Sequence, residues 1–141
     1  MTPQMEEKIR QSFDKQSMMT TLGARLASLS TGAIEVEAPI LPGSLQQQGF
    51  AHAGLTFAIG DSAAGYSALS VMPEDAEIVT SELKINFLAP GKGDKLIARG
   101  KVIKPGRRLV IVQSDVYAVE DGNETHIAML MGTTIAVKVA T

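Results

Sequence analysis

The stretch from about Ala53 to Val71 constrains this fold more than any other. It is the one long helix candidate in 141 residues, and Pro73 ends it. Ala53, Gly54, Ala58, Gly60, Ala63, Ala64, Gly65 and Ala68 make its surface small as well as apolar. A helix that is apolar on nearly all sides is buried rather than laid on a surface. One coated with Gly and Ala lets other backbone come very close. The composition agrees: aromatic residues are only 4%, Trp is absent and Gly numbers 13. The apolar run from Ala51 to Met72 is long enough to span a bilayer. Asp61 near its middle and the internal glycines make it a poor spanning helix.

What surrounds that helix is mostly β. Residues 3 to 18 read as a first helix, with Met5, Ile9, Phe13 and Gln16 or Ser17 near one stripe and Glu6 and Glu7 in the first turn. Residues 22 to 40 read as a hairpin about Ser30-Thr31-Gly32, and Leu41 to Phe50 as a loop. After Pro73 the pattern alternates. Val79, Ser81, Leu83, Ile85 and Phe87 fall on one face of a strand, with Thr80, Glu82, Lys84 and Asn86 on the other. Three more strands follow over Lys95 to Ile103, Arg108 to Val119 and Thr125 to Val139. The turns Pro90-Gly91-Lys92-Gly93, Pro105-Gly106 and Asp121-Gly122 join them. A long antiparallel sheet wrapped around one helix, an α+β domain over residues 1–141, fits this order best.

Several functions are excluded. There is no Cys, which removes disulfides, thiolate metal sites and a Cys nucleophile together. Two His cannot build a multi-histidine metal centre, so no metal is expected. Lys and Arg number 13 against 15 Asp and Glu, without the positive excess of a nucleic-acid binder. The N-terminus, MTPQMEEKIRQSF, has mixed charge and no apolar run, so it does not read as a signal peptide. The expectation is a soluble, cytoplasmic protein without a nucleic-acid or membrane partner.

The chemistry is expected where the long helix begins. Helix N-termini leave N–H groups unpaired and carry partial positive charge. Ala53 and Gly54 are small enough for a ligand to reach those groups, where a carbonyl oxygen would be polarised and an oxyanion stabilised. His52 precedes them on the loop. Asp61 is a candidate general base or nucleophile. It is equally readable as a structural carboxylate bonded to Ser62, Thr80 or Tyr66, and His52 as a cap. Asp61 lies nine residues past His52, about 13 Å of helical rise and half a turn out of phase. One chain cannot easily bring both to one carbonyl carbon, whereas two copies related by a two-fold can, which argues for a dimer.

These residues carry a resemblance. Gln46, Gly49, His52, Gly54 and Asp61, followed by SELKINFLAPGKGDKLIARGKV, resemble the PaaI-like family of hotdog-fold thioesterases over nearly the whole chain. The resemblance implies hydrolysis of an acyl-CoA thioester at dimer-interface sites. The assembly would be a homodimer or a homotetramer built as a dimer of dimers. No cofactor is implied beyond the CoA of the substrate itself. It matches Asp61 to the family's catalytic carboxylate. Ala53 falls on the first Gly of His-Gly-Gly, whose N–H polarises the carbonyl, and Gly54 on the second. His52 matches the loop His that shapes the site or holds the thioester. Gln46 stands where the family has Asn to position water or thioester, and Thr80 near a Ser or Thr that supports the water or the carboxylate. Ala53 departs from Gly but keeps the N–H. Gln46 departs from Asn by one methylene, and Gln47 or Gln48 could take its place.

Charge is unevenly distributed. Eight of the 13 Lys and Arg fall between Lys84 and Arg108, with Asp94 the one acid among them. Part of this is a solvated sheet face. The excess also suits the 3′-phosphate and pyrophosphate of CoA, with Arg107 and Arg108 the first choice for contact and Lys92 the second. Phe57, Leu55, Tyr66 and the region of Phe87 are candidates for an acyl pocket and equally for the core. Two rival functions share the fold: a 3-hydroxyacyl thioester dehydratase, and a non-catalytic acyl-CoA sensor.

Overall fold

In the computed structural model, residues 1–138 are described. The chain runs α1 (Pro3–Asp14), α2 (Ser17–Leu22), β1 (Arg25–Ser30), β2 (Ala33–Pro39), a 3-10 turn (Pro42–Ser44), α3 (Ala53–Leu69), β3 (Ala76–Phe87), β4 (Lys95–Lys104), β5 (Leu109–Glu120) and β6 (Asn123–Lys138). The described part of β6 ends at Lys138; Val139, its expected end, lies outside the described residues. All six strands form one antiparallel sheet in the order β1-β2-β4-β5-β6-β3, with α3 packed across it. This is the hotdog fold that the resemblance implies.

The first helix breaks where the sequence reads as continuous. Thr2 caps α1, its Oγ1 accepting the Met5 N–H, and Pro3 follows at the first helical position. Met5, Ile9 and Phe13 bury its apolar stripe. Gln16 is extended and begins a second, six-residue helix, and its side-chain amide donates to the Tyr66 hydroxyl at 2.8 Å. That bond turns Gln16 away from the stripe its spacing suggests.

Burial of α3 depends on glycines of both partners. A Cβ on Gly100 of β4 would lie 2.3 Å from the Ala63 carbonyl oxygen, and one on Gly60 of α3 would lie 2.9 Å from a Leu130 methyl carbon. Helix backbone therefore rests almost directly on strand backbone at Gly100. Gly100→Ala forces the two apart. It is expected to cost on the order of 3 kcal/mol, at the upper end for an overpacked core. That lowers Tm by roughly 10 °C, measured by calorimetry.

One stripe of α3 stays open. Gly54, the adjacent pair Phe57 and Ala58, Asp61 and Gly65, successive turns of one face, are exposed or half-buried, whereas the rest of the helix beyond its first residue is buried. The stripe is flanked by β3, which ends the sheet and leaves one edge unpaired.

Candidate functional site at the open face of the long helix

Two features of β3 decide where Thr80 points. Pairing of β3 with β6 slips between Thr80 and Glu82, leaving Ser81 as a bulge. A bulge adds one residue to one strand, so side chains on either side of it keep facing the core despite an odd spacing. Ile78 before the bulge and Leu83 and Ile85 after it all pack on the core. The unbroken alternation expected from sequence, with Val79 beside Leu83, Ile85 and Phe87, is therefore corrected. Val79 is 49% exposed, and Thr80 turns toward α3. Its hydroxyl donates to Asp61 Oδ1 at 2.8 Å, and among the described residues Oδ2 has no protein donor. Thr80→Val, which keeps the shape and loses the donor, is expected to lower kcat of the activity proposed below about tenfold. KM and Tm should hold, and Thr80→Ser should restore the rate.

At the other end of the stripe, His52 caps α3. Its Nδ1 accepts the Gly54 N–H at 2.7 Å, so the neutral ring carries its proton on Nε2. Gly54 is needed for this: a Cβ there would stand 2.9 Å from that nitrogen. The Gly54 N–H expected to face a carbonyl is thus occupied by the cap. Among the described residues the Ala53 N–H has no acceptor and remains the free donor of this helix start.

Gln46 is turned inward on its own loop. Its side-chain oxygen accepts the N–H groups of Gln48 and Phe50, and its backbone N–H donates to the Phe50 carbonyl. Gly49, at φ +87°, closes the loop with a conformation that glycine adopts readily. The Gln46 carbonyl is spent on that turn, and its NH2 reaches Gln48 Oε1 at 3.3 Å. Gln46 still lines a cleft of about 570 Å³ with His52, Ala53 and Gly91.

Two further clefts meet at Asp61. An apolar one of about 530 Å³ runs along the open stripe from Ala53 and Gly54 past Phe57 to Asp61, walled by Met18, Met19, Ile85 and Phe87. Gly54 and Asp61 are seven residues apart, two turns, and so in phase. The half-turn offset counted from His52 does not apply to the residues that open on the cleft. The axial separation does: Ala53 and Asp61 remain about 12 Å apart along the helix. The other cleft is polar and about 170 Å³, lined by Ser12, Gln16, Tyr66, Glu77 and Thr80 as well as Asp61. Tyr66 is core in its ring, 6.0 Å from Phe13, and polar at its tip. Burial pushes its phenol above the usual range, so at neutral pH it is a hydroxyl. Leu55 is core, whereas Phe57 and Phe87 are cleft wall.

The basic segment is divided. Arg99 donates to Glu35 at 2.8 Å and forks onto Glu124, while stacking over the Tyr117 ring at 4.7 Å. The hydrogen bond from Arg99 holds Glu124 below the usual carboxylate range, and Glu124 with Glu35 raises Arg99. Lys95 pairs with Glu37 at 3.4 Å. Lys92, Arg107 and Arg108 stand at opposite ends of β4, about 30 Å apart by strand rise. Lys92 follows Gly91, whose carbonyl accepts the Ala51 N–H beside the start of α3. Arg107 and Arg108 flank β5 at the far end, where the Arg108 carbonyl accepts from Ala136. Within one chain they do not converge on one ligand.

Comparison with known proteins places this geometry. The thioesterase-superfamily pattern matches residues 48–125, a span that holds His52, Ala53, Asp61 and Thr80. The chain belongs to the thioesterase superfamily. A solved thioesterase-family protein from Silicibacter pomeroyi is 41% identical, with a TM-score of 0.93 over 96% of this chain and 99% of that one. The E. coli PaaI protein from the phenylacetic acid degradation operon shares the fold, at 21% identity and a TM-score of 0.83 over 95% of this chain and 94% of its own. A Saccharolobus solfataricus protein whose name assigns it provisionally to the esterases is 39% identical over 85 residues, 60% of this chain. That match spans 54% of its length. No described helix is long and apolar enough to cross a membrane.

Sequence reading missed Ser12 and Gln16 as neighbours of Asp61. The signal was present: Lys8, Ser12 and Gln16, four apart, form a polar row beside the apolar row of Met5, Ile9 and Phe13.

Proposed function

We propose that this superfamily member hydrolyses an acyl-CoA thioester. The observation that carries the reading is the open stripe of α3. There a carboxylate aligned by Thr80 and an unpaired Ala53 N–H open on one apolar cleft. Each group suits one demand of acyl transfer. The N–H polarises the carbonyl and stabilises the oxyanion that forms. The carboxylate takes the proton of water as its oxygen attacks the carbonyl carbon. The tetrahedral intermediate then collapses, the C–S bond breaks, and the proton on Asp61 passes to the departing CoA thiolate. The polar cleft beside Asp61 offers a place for the water that the base route needs at the first step; a covalent acyl-Asp61 intermediate trapped during turnover would make Asp61 a nucleophile instead.

The 12 Å between Ala53 and Asp61 supports a homodimer, because one carbonyl cannot lie within 3 Å of both. A two-fold that sets two open stripes face to face brings the Asp61 of one copy toward the Ala53 of the other, and the free edge of β3 offers a surface for such pairing. A tetramer would follow from two such dimers. The CoA phosphates fall to Lys92 at the α3 end of the sheet, and to Arg107 and Arg108 only if another copy supplies them. His52 serves by holding the helix start, and Gln46 by holding the loop.

The test is thiol release from short-chain, long-chain and aryl acyl-CoAs, with sedimentation for the assembly. Turnover of at least one class by a dimer or larger is expected. Tight acyl-CoA binding with no thiol release would establish a sensor instead, and hydration of an enoyl thioester a dehydratase.

A further inference from the structure

Asp61, Ser62 and Gln16 line both the apolar cleft and the polar cleft and so form the neck between them. We propose that the polar cleft is a water chamber. It delivers the hydrolytic water to Asp61 from the side opposite the acyl group, with Gln16 and Tyr66 as positioning residues. This rests on the thioesterase reading above. An acyl chain seated in the apolar cleft would exclude water from that side. The reaction nevertheless consumes one water per thioester, so it must enter elsewhere. At about 170 Å³ the polar cleft has room for roughly five waters at ~30 Å³ each, and it meets the need for several polar partners.

The donors and acceptors are set for that task. The Tyr66 hydroxyl accepts from Gln16 Nε2 at 2.8 Å and lies 3.0 Å from Ser12 Oγ. The Gln16 side-chain oxygen has no protein donor among the described residues, which leaves it to accept from water at the neck. The wall is also anchored. Lys8 of α1 donates to the carbonyls of Glu74 and Ala76 and pairs with Glu77 at 3.3 Å, so the polar row of α1 is tied to β3 at one end and to Tyr66 at the other. A mere seam between helices would be served by apolar side chains. Here Ser12, Gln16, Thr80 and the Tyr66 tip all face the same small space as the candidate base.

Gly65 gives the means to test this. It lines the chamber, and a Cβ there meets nothing within 4 Å. Gly65→Ala and Gly65→Leu therefore fill the chamber without a clash at Cβ, and alanine in place of a helical glycine stabilises the fold. The experiment measures thiol release from the best acyl-CoA of the panel, with thermal melts and sedimentation, for both variants, Tyr66→Phe and Asp61→Asn. Gly65→Leu is expected to lower kcat at least tenfold and Tyr66→Phe about fivefold, each with KM within twofold of the parent and with parental sedimentation, since Gly65 lies on the stripe that the proposed dimer buries. Gly65→Ala should lower kcat while leaving Tm equal or higher, a combination that structural damage does not produce. A folded Gly65→Leu with parental kcat, or one that raises KM alone, overturns the chamber. Should Gly65→Leu fail to fold, parental kcat in both Gly65→Ala and Tyr66→Phe overturns it. The two readings fail separately. Parental turnover by Asp61→Asn sinks the general-base reading, whereas an inactive Asp61→Asn beside fully active cleft variants sinks the chamber alone.

Discussion

Asp61→Asn is expected to abolish most turnover, lowering kcat by roughly 10²- to 10⁴-fold, the range that a positioned general base supplies. The amide matches the carboxylate in shape and still accepts the Thr80 hydroxyl through its oxygen, so the contact at 2.8 Å survives. What disappears is the ability to take a proton from water. Asp61 sits half-buried on the open stripe, not inside the core, so Tm and assembly should match the parent. Thiol release and a thermal melt on the same preparation settle the matter. A variant that turns over within tenfold of the parent would return Asp61 to a structural role.

Ala53→Pro is expected to lower kcat by about 10²- to 10³-fold, the cost of one oxyanion donor, with the fold intact or slightly more stable. Ordinarily proline in a helix is destructive, but Ala53 occupies the first helical position. There the N–H has no helical partner, and the fixed φ of proline suits the turn. The preceding residue must be extended to accept a following proline, and His52 is, at φ −64° and ψ 143°. The substitution thus deletes one N–H and little else. Because His52 already occupies the Gly54 N–H at 2.7 Å, no second donor of this helix start replaces it. Ala53→Gly, which keeps the N–H, should retain the parental rate. Equal kcat in the proline variant would show that the carbonyl is polarised elsewhere.

Much of the site was legible before any fold was drawn, because it lies within one local segment. The candidates at 46, 52, 53, 54 and 61 are confined to a loop and the helix it feeds, and helical phase alone relates Gly54 to Asp61. Thr80 was legible as one of three possible partners of Asp61, and again by resemblance, but not by the face of its strand. Read by alternation, it belongs on the outer face of its strand with Glu82 and Lys84. The bulge at Ser81 reverses that, and a bulge is set by pairing with β6, which no local period reports. Donor availability at the helix start was likewise hidden. Ala53 and Gly54 look equivalent in sequence, but the His52 ring folds over one N–H and spares the other.

The sequence by itself determined that a small-surfaced helix would be buried under an antiparallel sheet, since residue size and the periods of 3.6 and 2 are local properties. It also removed a Cys nucleophile and a multi-histidine metal centre, since no Cys and only two His are present, while leaving a site of carboxylate and backbone amides open. The tertiary structure alone decided which groups share a space. It set the polar row of α1 against Tyr66 and Asp61, and it folded Arg99 onto both Glu35 and Glu124, which are distant in the chain. Proximity across a sheet depends on strand order, helix packing and register. These are settled by burial of the whole core rather than by any segment's own pattern.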